Sequence, residues 1–190
     1  GDVQETVDKL KKVDGITEAE PNYIYHTSSE GLPEETERNF NWFMTNSLDK
    51  LGMSAFSGWN ESYKRTNAAP GAGTVVAVID TGVDYTHEDL APSMWTNSGE
   101  IPGNGIDDDG NGYIDDYYGI DATANPKYDG KIAGDPMDNN GHGTHVSGII
   151  AMAKNGKGGA GIAYGAKIMA IKAGQSTGSL ANSDIVTAIK

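Results

Sequence analysis

The chain has 190 residues, enough for one ordinary domain or for a small domain followed by part of a larger one. Its 27 acidic and 14 basic residues give a net charge of -13, which argues against nucleic acid or an anionic membrane as a partner and suits a protein that binds cations. The absence of cysteine excludes disulfides and thiolate metal sites. No apolar stretch approaches the length of a membrane span. Because the sequence begins with Gly1 and shows no signal-peptide pattern, we expect it to be a piece of a longer precursor.

The first part of the chain predicts a short helix, an extended segment and a linker. Val3, Val7 and Leu10 lie at helical spacing, and residues 16–25 favour an extended segment broken by a proline. Residues 27–39 have the polar, turn-forming composition of an exposed linker that proteases cut. The apolar side chains that follow are predicted to pack on a core: Phe40, Trp42, Phe43, Leu48, Leu51, Met53, Phe56 and Trp59.

From residue 71 onward, strand and helix signals alternate, as in a parallel sheet covered by helices. Residues 74–79 predict a strand with both faces buried, and it ends on Asp80, at the edge where open α/β sheets bind ligands. Residues 166–173 predict a second strand. A last helix is predicted over residues 183–190, with Asn182 or Ser183 as its cap and with Ile185, Val186 and Ile189 as its buried face.

Residues 140–148, which read NGHGTHVSG, place His142 at the start of another predicted helix. The apolar spacing of that helix predicts a buried face formed by Val146, Ile149, Ile150 and Ala153. A helix N-terminus disfavours imidazolium, so a carboxylate beside His142 is needed to hold the neutral tautomer and to stabilise the cation formed on proton transfer. Asp80 and His142 are thus two of the three parts of a Ser-His-Asp hydrolase. Two alternatives stay open: Asp80 as a simple turn former, and His142 with His145 as a metal-binding pair.

Residues 107–115, which read DDDGNGYID, predict a calcium loop of the kind that opens an EF-hand. The pattern supplies a sharp-turn glycine and oxygen ligands from Asp107, Asp109, Asn111, Asp115 and the backbone carbonyl of Tyr113. Tyr118 stands where an EF-hand has its bidentate glutamate, and Asp116 or Asp121 is a candidate replacement. We predict a stand-alone calcium loop without flanking helices. The alternative is a solvated acidic turn.

The segments VIDTG at 78–82 and HGTHVSG at 142–148 closely resemble the aspartate and histidine motifs of subtilisin-like serine proteases, which occur in the same chain order. The resemblance implies a three-layer α/β fold with a mostly parallel sheet, of which residues 40–190 are the N-terminal half of the catalytic domain. It implies that Asp80 is the triad acid, His142 the base and His145 a structural residue. The 142 − 80 = 62 positions between the two imply an insertion that loops out.

The same resemblance assigns further segments. Residues 1–26 are similar to the last helix and strand of an α+β inhibitory propeptide, although an ordinary N-terminal extension is the alternative. Residues 27–39 then form the linker with the maturation region. Asp89 and Asn155 match ligands of a structural calcium, and residues 178–180 resemble the edge segment that pairs with the substrate backbone. From the residues alone, this last segment, Gly178, Ser179 and Leu180, is equally an ordinary loop.

The resulting prediction is a secreted or cell-surface serine endopeptidase that cuts polypeptides, binds calcium and is held as a zymogen by its own propeptide. The 190 residues contain Asp80 and His142 but no Gly-Thr-Ser segment, so we expect the C-terminal half of the catalytic domain to supply the serine. Alone, residues 1–190 are expected to be inactive and poorly folded, with strand 166–173 lacking a sheet neighbour. The alternative is a non-catalytic, calcium-dependent binding or scaffold protein that retains this fold.

Overall fold

A computed structural model describes residues 3–13, 46–47, 50–51, 54–124 and 134–190 of the chain. Helix α1 spans Val3–Leu10, as predicted, and buries Val7, whereas Leu10 of the predicted apolar spacing is 43% exposed. Strands β1 (Asn46–Ser47) and β2 (Lys50–Leu51) pair antiparallel. The predicted extended segment 16–25 and linker 27–39 lie outside the described residues, as do Phe40, Trp42, Phe43, Leu48 and Met53.

Helix α2, Ala55–Thr66, docks through its aromatic residues on the segment around residue 162. Phe56 and Trp59 are buried, and the Trp59 indole N–H donates to the carbonyl of Ile162 over 2.6 Å. The Trp59 ring meets Tyr164 edge to face with centroids 5.0 Å apart, a favourable aromatic geometry. The predicted packing role of Phe56 and Trp59 is therefore confirmed.

Three parallel strands form the sheet that positions the site: β3 (Val75–Asp80), β4 (Gly119–Asp121) and β5 (Lys167–Lys172). Their order is β3-β5-β4, and Lys172 is in register with both Asp80 and Asp121, so the carboxyl ends lie side by side. The expectation that the second predicted strand lacks a sheet neighbour was wrong. Strand β5 pairs with β3 on one side and with the short strand β4 on the other. Strand β4 is too brief to be recognised from the apolar pattern.

Helices α3 (His142–Ala151) and α4 (Asn182–Ile189) cover opposite faces of this sheet. On one face, Val78, Ile168 and Ala170 form a core against which Val146 and Ile150 of α3 pack. On the other face, Ile171 and Ile120 form a cluster that includes Ala188 of α4. Short 3₁₀ turns at Ala91–Ser93 and Ala122–Ala124 complete the described layers. The arrangement is a three-layer α/β fold.

Strand β3 is less covered than its continuous apolar sequence predicted. Val78 is buried, but Val75 and Ala77 are exposed. Helix α4 contributes Ala188 to the cluster of Ile120, Ala122 and Ile171, and among the described residues of β3 only Ile79, near the strand's end, belongs to that cluster. The expectation of burial on both faces was therefore wrong for this strand.

Helix α3 packs through small residues rather than through the predicted apolar stripe. Its buried residues are Gly143, Ser147, Gly148 and Ala151, whereas Ile149 is exposed and Ala153 lies beyond the last helical residue. The reason is close approach: a Cβ at Gly143 would collide with the carbonyl oxygen of Gly82. Of the four predicted residues, Val146 and Ile150 do pack against the core. The predicted buried face is therefore confirmed for these two residues and wrong for the other two.

Helix α4 also differs from its prediction. Its N-cap is Ala181, whose side chain has no acceptor, so neither predicted cap residue is the N-cap. Ser183 lies inside the helix and its hydroxyl donates to the Asp184 carboxylate. Val186 and Ile189 are 50% and 70% exposed, so the predicted buried face was wrong there. The contact with the sheet comes from Ala188.

Candidate active site

Asp80 and His142 meet at the carboxyl edge of the sheet, across 62 positions of sequence. The His142 Nδ1 atom lies 2.8 Å from Asp80 Oδ1 and 2.9 Å from Oδ2. Oδ1 also accepts the backbone N–H of Thr81 over 2.7 Å, which orients the carboxylate at the end of β3. The Asp80 side chain is 16% exposed, whereas that of His142 is 66% exposed. A shielded carboxylate thus holds an imidazole that faces solvent.

This geometry determines the proton arrangement of the imidazole. A carboxylate is an acceptor only, so Nδ1 of His142 must be the donor in the pair with Asp80. In the neutral ring, Nε2 then carries the lone pair and can accept a proton. Among the described residues, Asp80 is the hydrogen-bond partner of the ring. The arrangement is that of a general base with its tautomer held by a carboxylate.

The loop before α3 brings His142 into place. Gly141, the N-cap, has φ of +103°, a conformation that favours glycine. The side-chain oxygen of Asn140 accepts the backbone N–H of His142 over 3.2 Å, and its amide donates to the carbonyl of Ser176 over 2.9 Å. Asn140 therefore links the start of α3 to the segment that follows β5.

Asp138 is a central residue of this loop that the sequence analysis missed. Its Oδ1 accepts the hydroxyl of Thr81 (2.9 Å) and the N–H groups of Asn140 (2.9 Å) and Gly141 (3.0 Å). Its Oδ2 accepts the N–H (3.0 Å) and hydroxyl (2.6 Å) of Thr144. Burial alone would raise the pKa of Asp138, but these hydrogen bonds outweigh it and lower the pKa to about 2. An aspartate shortly before a helix-opening glycine is the signal that could have identified it.

His145 lies in a different environment from His142. Its exposed side chain lines an open cavity together with Asp84, Asp138 and Thr144. The Thr144 hydroxyl accepts the backbone N–H of Asp84 over 2.9 Å. Within the part of the chain that the structure describes, no cluster of three or more potential metal ligands includes either histidine. The Asp80 contact at Nδ1 suits a general base, because it leaves Nε2 of His142 as the ring atom for proton transfer.

The predicted substrate-pairing segment follows the carboxyl end of β5. Gly178, Ser179 and Leu180 are exposed, and Leu180 forms an antiparallel bridge with Gly174. The N–H of Gln175 donates to the carbonyl of Ser179 over 3.0 Å, which closes a turn. The Asn140 contact with Ser176 brings this turn beside the loop that carries His142.

The acidic insertion gathers a cluster of carboxylates that only partly coincides with the predicted ligands. Glu100, Asp109 and Asp116 each offer an oxygen, and these oxygens all lie within 4.8 Å of one another. Glu100 and Asp116 are buried. Glu100 also accepts the N–H groups of Asp108, Asp109 and Asp115, which ties the loop around it. The sequence analysis missed Glu100 because it precedes the loop pattern, whereas Asp116 was a named replacement ligand.

The remaining predicted ligands of the loop have other contacts. Asp107 accepts the backbone N–H groups of Asn111 and Gly112, and the Asn111 amide donates to Asp109 and Asp116. Asp115 has φ of +55°, and its carboxylate accepts the N–H groups of residues 104 and 105. Tyr113 donates its N–H to the Asn111 side chain. The donor set around Asp109 consists of hard oxygens, which fits calcium.

Asp89 and Asn155 also come together, as the second predicted calcium pair. The Asn155 amide donates to Asp89 Oδ1 over 2.7 Å. The two nearby lysines point to other partners: Lys157 lies 3.7 Å from Glu88, and the Lys154 ammonium lies 5.8 Å from the centre of the Tyr164 ring. The contacts of these two lysines are therefore with Glu88 and Tyr164, while Asp89 is bonded to Asn155.

A parallel sheet between helix layers, with a strand-end aspartate bonded to a helix-start histidine, defines a partial α/β fold of the subtilisin type. Residues 71–190 match the sequence profile of the subtilase family, so the chain belongs to the subtilase family. The chain is 43% identical over 116 residues to subtilisin-like protease 1 of Plasmodium vivax, covering 60% of this chain and 17% of that protein. It is 31% identical over 191 residues to the thermophilic serine proteinase of Bacillus sp. AK1, covering 100% of this chain and 37% of that protein.

A solved structure supports the fold. The crystal structure of Aeromonas sobria serine protease in complex with the chaperone ORF2 contains a chain that matches with a TM-score of 0.54 and 22% identity. The match covers 95% of this chain and 26% of that one. The present chain thus spans well under half the length of the relatives that it matches. Among the described residues, no helix is long and apolar enough to cross a membrane.

Proposed function

We propose that the full-length protein is a calcium-binding serine endopeptidase in which Asp80 orients His142 and His142 is the general base. The observation that carries the proposal is the pair of distances from His142 Nδ1 to the Asp80 carboxylate, 2.8 and 2.9 Å. This contact leaves Nε2 of an exposed ring to take a proton. Membership of the subtilase family and serine-protease relatives support the same chemistry.

In the proposed reaction, His142 takes the proton of a serine hydroxyl as its oxygen attacks a peptide carbonyl. The imidazolium that forms is stabilised by Asp80, and it then gives the proton to the leaving amine. The serine and the donors that stabilise the tetrahedral oxyanion come from outside these 190 residues, since no Gly-Thr-Ser segment occurs within them.

The substrate is proposed to be an extended polypeptide that adds as a strand along residues 178–180. The exposure of this segment and its position after β5, next to the His142 loop, support the assignment. Main-chain pairing of this kind gives affinity with little sequence preference.

Calcium is proposed as the structural cofactor of the acidic insertion. Glu100, Asp109 and Asp116 would hold the ion, with Asp107 and Asn111 close by in the same loop. The bound ion would neutralise carboxylates that otherwise repel one another. Asp89 and Asn155 are proposed as a second calcium site on the basis of the family resemblance.

Regulation and location are proposed from the same resemblance. Residues 1–26 are taken as the end of an inhibitory propeptide and 27–39 as the linker that contains the maturation region. Residues 40–190 then begin the catalytic domain. The protein would be made as a zymogen and act outside the cell or at its surface.

The test is peptide hydrolysis by the full-length gene product with casein as substrate. His142→Ala should abolish hydrolysis, and Asp80→Asn should lower turnover by about four orders of magnitude, the loss seen when a triad aspartate is replaced elsewhere. Glu61→Gln, a surface change on helix α2 that removes only an exposed pair with Lys64, is the control and should retain the parental rate. If both site variants cleave casein at the parental rate, the roles assigned to Asp80 and His142 are wrong. A parent that does not cleave casein would favour the non-catalytic scaffold instead.

A further inference from the structure

Asp138 connects two elements that meet at the candidate active site. Through Thr81 it reaches the end of β3, and through Gly141 and Thr144 it reaches the first turn of α3. Thr81 extends the connection, because its hydroxyl donates to Asp138 and accepts the N–H of Gly143 over 3.0 Å. Thr81 is 1% exposed, so this bridge is shielded from water.

Two of the residues that Asp138 binds are the chain neighbours of Asp80 and His142. Thr81 follows Asp80, and Gly141 precedes His142. A shift of α3 relative to β3 would therefore change the distance between the carboxylate and the imidazole. Gly143 also packs closely against the Gly82 carbonyl, which limits how near the two backbones can come. Such packing does not fix their orientation, whereas the hydrogen bonds of Asp138 do.

The loop that carries Asp138 is itself anchored to the sheet. The buried Lys172 at the end of β5 donates its ammonium to the carbonyl of Met137 over 2.9 Å. The N–H of Val83 donates to the carbonyl of Pro136 over 3.0 Å. The backbone immediately before Asp138 is thus bound to both β5 and the segment after β3, which gives the carboxylate a rigid base.

We propose that Asp138 is a positioning residue: it holds the start of α3 against the end of β3, so that the His142 imidazole meets the Asp80 carboxylate. The inference rests on the proposed function for its effect on catalysis. Asp138 does not contact the imidazole and acts through Thr81, Gly141 and Thr144. Its lowered pKa, about 2, keeps it an acceptor for all of its donors at neutral pH.

The test compares Asp138→Asn with Asp135→Asn in the full-length protein. Asparagine keeps the size but offers one acceptor oxygen, so at least two of the five donors lose their partner. Asp135 lies in the same loop and is exposed, and its partners in the described part of the chain are the Tyr85 hydroxyl and the Met137 N–H, both of which donate to it. We expect Asp138→Asn to lower kcat by about 10- to 100-fold with KM nearly unchanged, the size expected of a misplaced reacting group. Asp135→Asn should leave both constants at the parental value.

A second readout is independent of activity. In proton NMR, the His142 Nδ1–H bonded to Asp80 should give a downfield resonance in the parent and in Asp135→Asn, and this resonance should be lost or shifted in Asp138→Asn. An unchanged resonance, or an unchanged kcat in a folded Asp138→Asn protein, would overturn the proposal. If Asp138→Asn does not fold, Thr81→Val decides in the same way, since it removes the bridge with an isosteric side chain.

The parent and His142→Ala are measured alongside in the same assay. An inactive parent would refute the proposed protease function, while the NMR comparison would still decide whether Asp138 positions His142.

Discussion

At the scale of single residues, Asp138 is the carboxyl whose ionisation is coupled to the folded state. Its burial opposes the charge, but the hydrogen bonds from Gly141, Thr144 and Asn140 lower its pKa from 3.8 to about 2. A lowered pKa means that the ionised form stabilises the folded state. That contribution is present above pH 4 or so and is lost as the pH falls towards about 2.

We therefore expect acid to destabilise the parent more steeply than Asp138→Asn. The measurement is urea unfolding of both full-length proteins at steps from about pH 5 to about pH 2. The difference in unfolding free energy between them should shrink as the pH falls through this window. A difference that stays constant with pH would show that Asp138 is not ionised preferentially in the folded state.

Two buried serines, one within α3 and one packed against its end, offer a second residue-scale prediction. Ser147 is 0% exposed and its hydroxyl has no hydrogen-bond partner among the described residues, whereas the Ser93 hydroxyl donates to the carbonyl of Ala151 over 2.7 Å. Ser147→Ala removes an uncompensated buried polar group and should stabilise the protein by about 1 kcal/mol. Ser93→Ala should destabilise it by about 1 kcal/mol. Thermal unfolding of the two variants checks both predicted changes in stability. A loss of stability in Ser147→Ala would contradict the view that the Ser147 hydroxyl is buried without a partner among the described residues.

At the scale of secondary-structure elements, the sequence predicted those features that depend on local signals. The apolar run that ends on Asp80 and the glycine-flanked start of the helix at His142 were both placed correctly. The buried side of that helix was not, since close backbone approach at Gly143 selects small residues over Ile149. Periodicity measures hydrophobicity and carries no information about the distance between two backbones.

Features that depend on partners distant in the chain could not be predicted from the sequence. Strand β4 has only Gly119–Asp121 and exists as a strand because β5 pairs with it. Glu100 enters the carboxylate cluster from outside the recognisable loop. Asp138 looks like an ordinary turn residue until Thr81 is brought beside it by the sheet. Each of these needs the tertiary fold before its role is visible.

The acidic insertion gives the element-scale prediction. Calcium should raise the Tm of the full-length protein by mass action, because an ion that binds only the folded loop stabilises it. Asp109→Asn combined with Asp116→Asn should remove most of that rise. Asp108→Asn is the matched control, since its carboxylate accepts from Ile101 and Asn104 and is not in the cluster. An equal calcium shift in all three proteins would place the ion elsewhere.

At the scale of the whole molecule, the candidate catalytic pair, the loop that orders it and the segment proposed to bind substrate lie at one edge of the sheet. Asp80 and Lys172 end adjacent strands there, and Asn140 joins the loop to the turn after β5. The two sides of this edge therefore come from residues far apart in sequence. In the proposed enzyme, a serine nucleophile with its oxyanion donors would approach the exposed side of the His142 ring.

The most direct test of this account is the position of the nucleophile. We expect a fluorophosphonate to label the full-length protein on a serine outside residues 1–190, and the label to disappear in His142→Ala. Peptide mapping by mass spectrometry identifies the modified residue. A label on a serine within these residues, such as the buried Ser147, or labelling that persists in His142→Ala, would contradict the central claim that Asp80 and His142 activate a serine supplied from elsewhere in the protein.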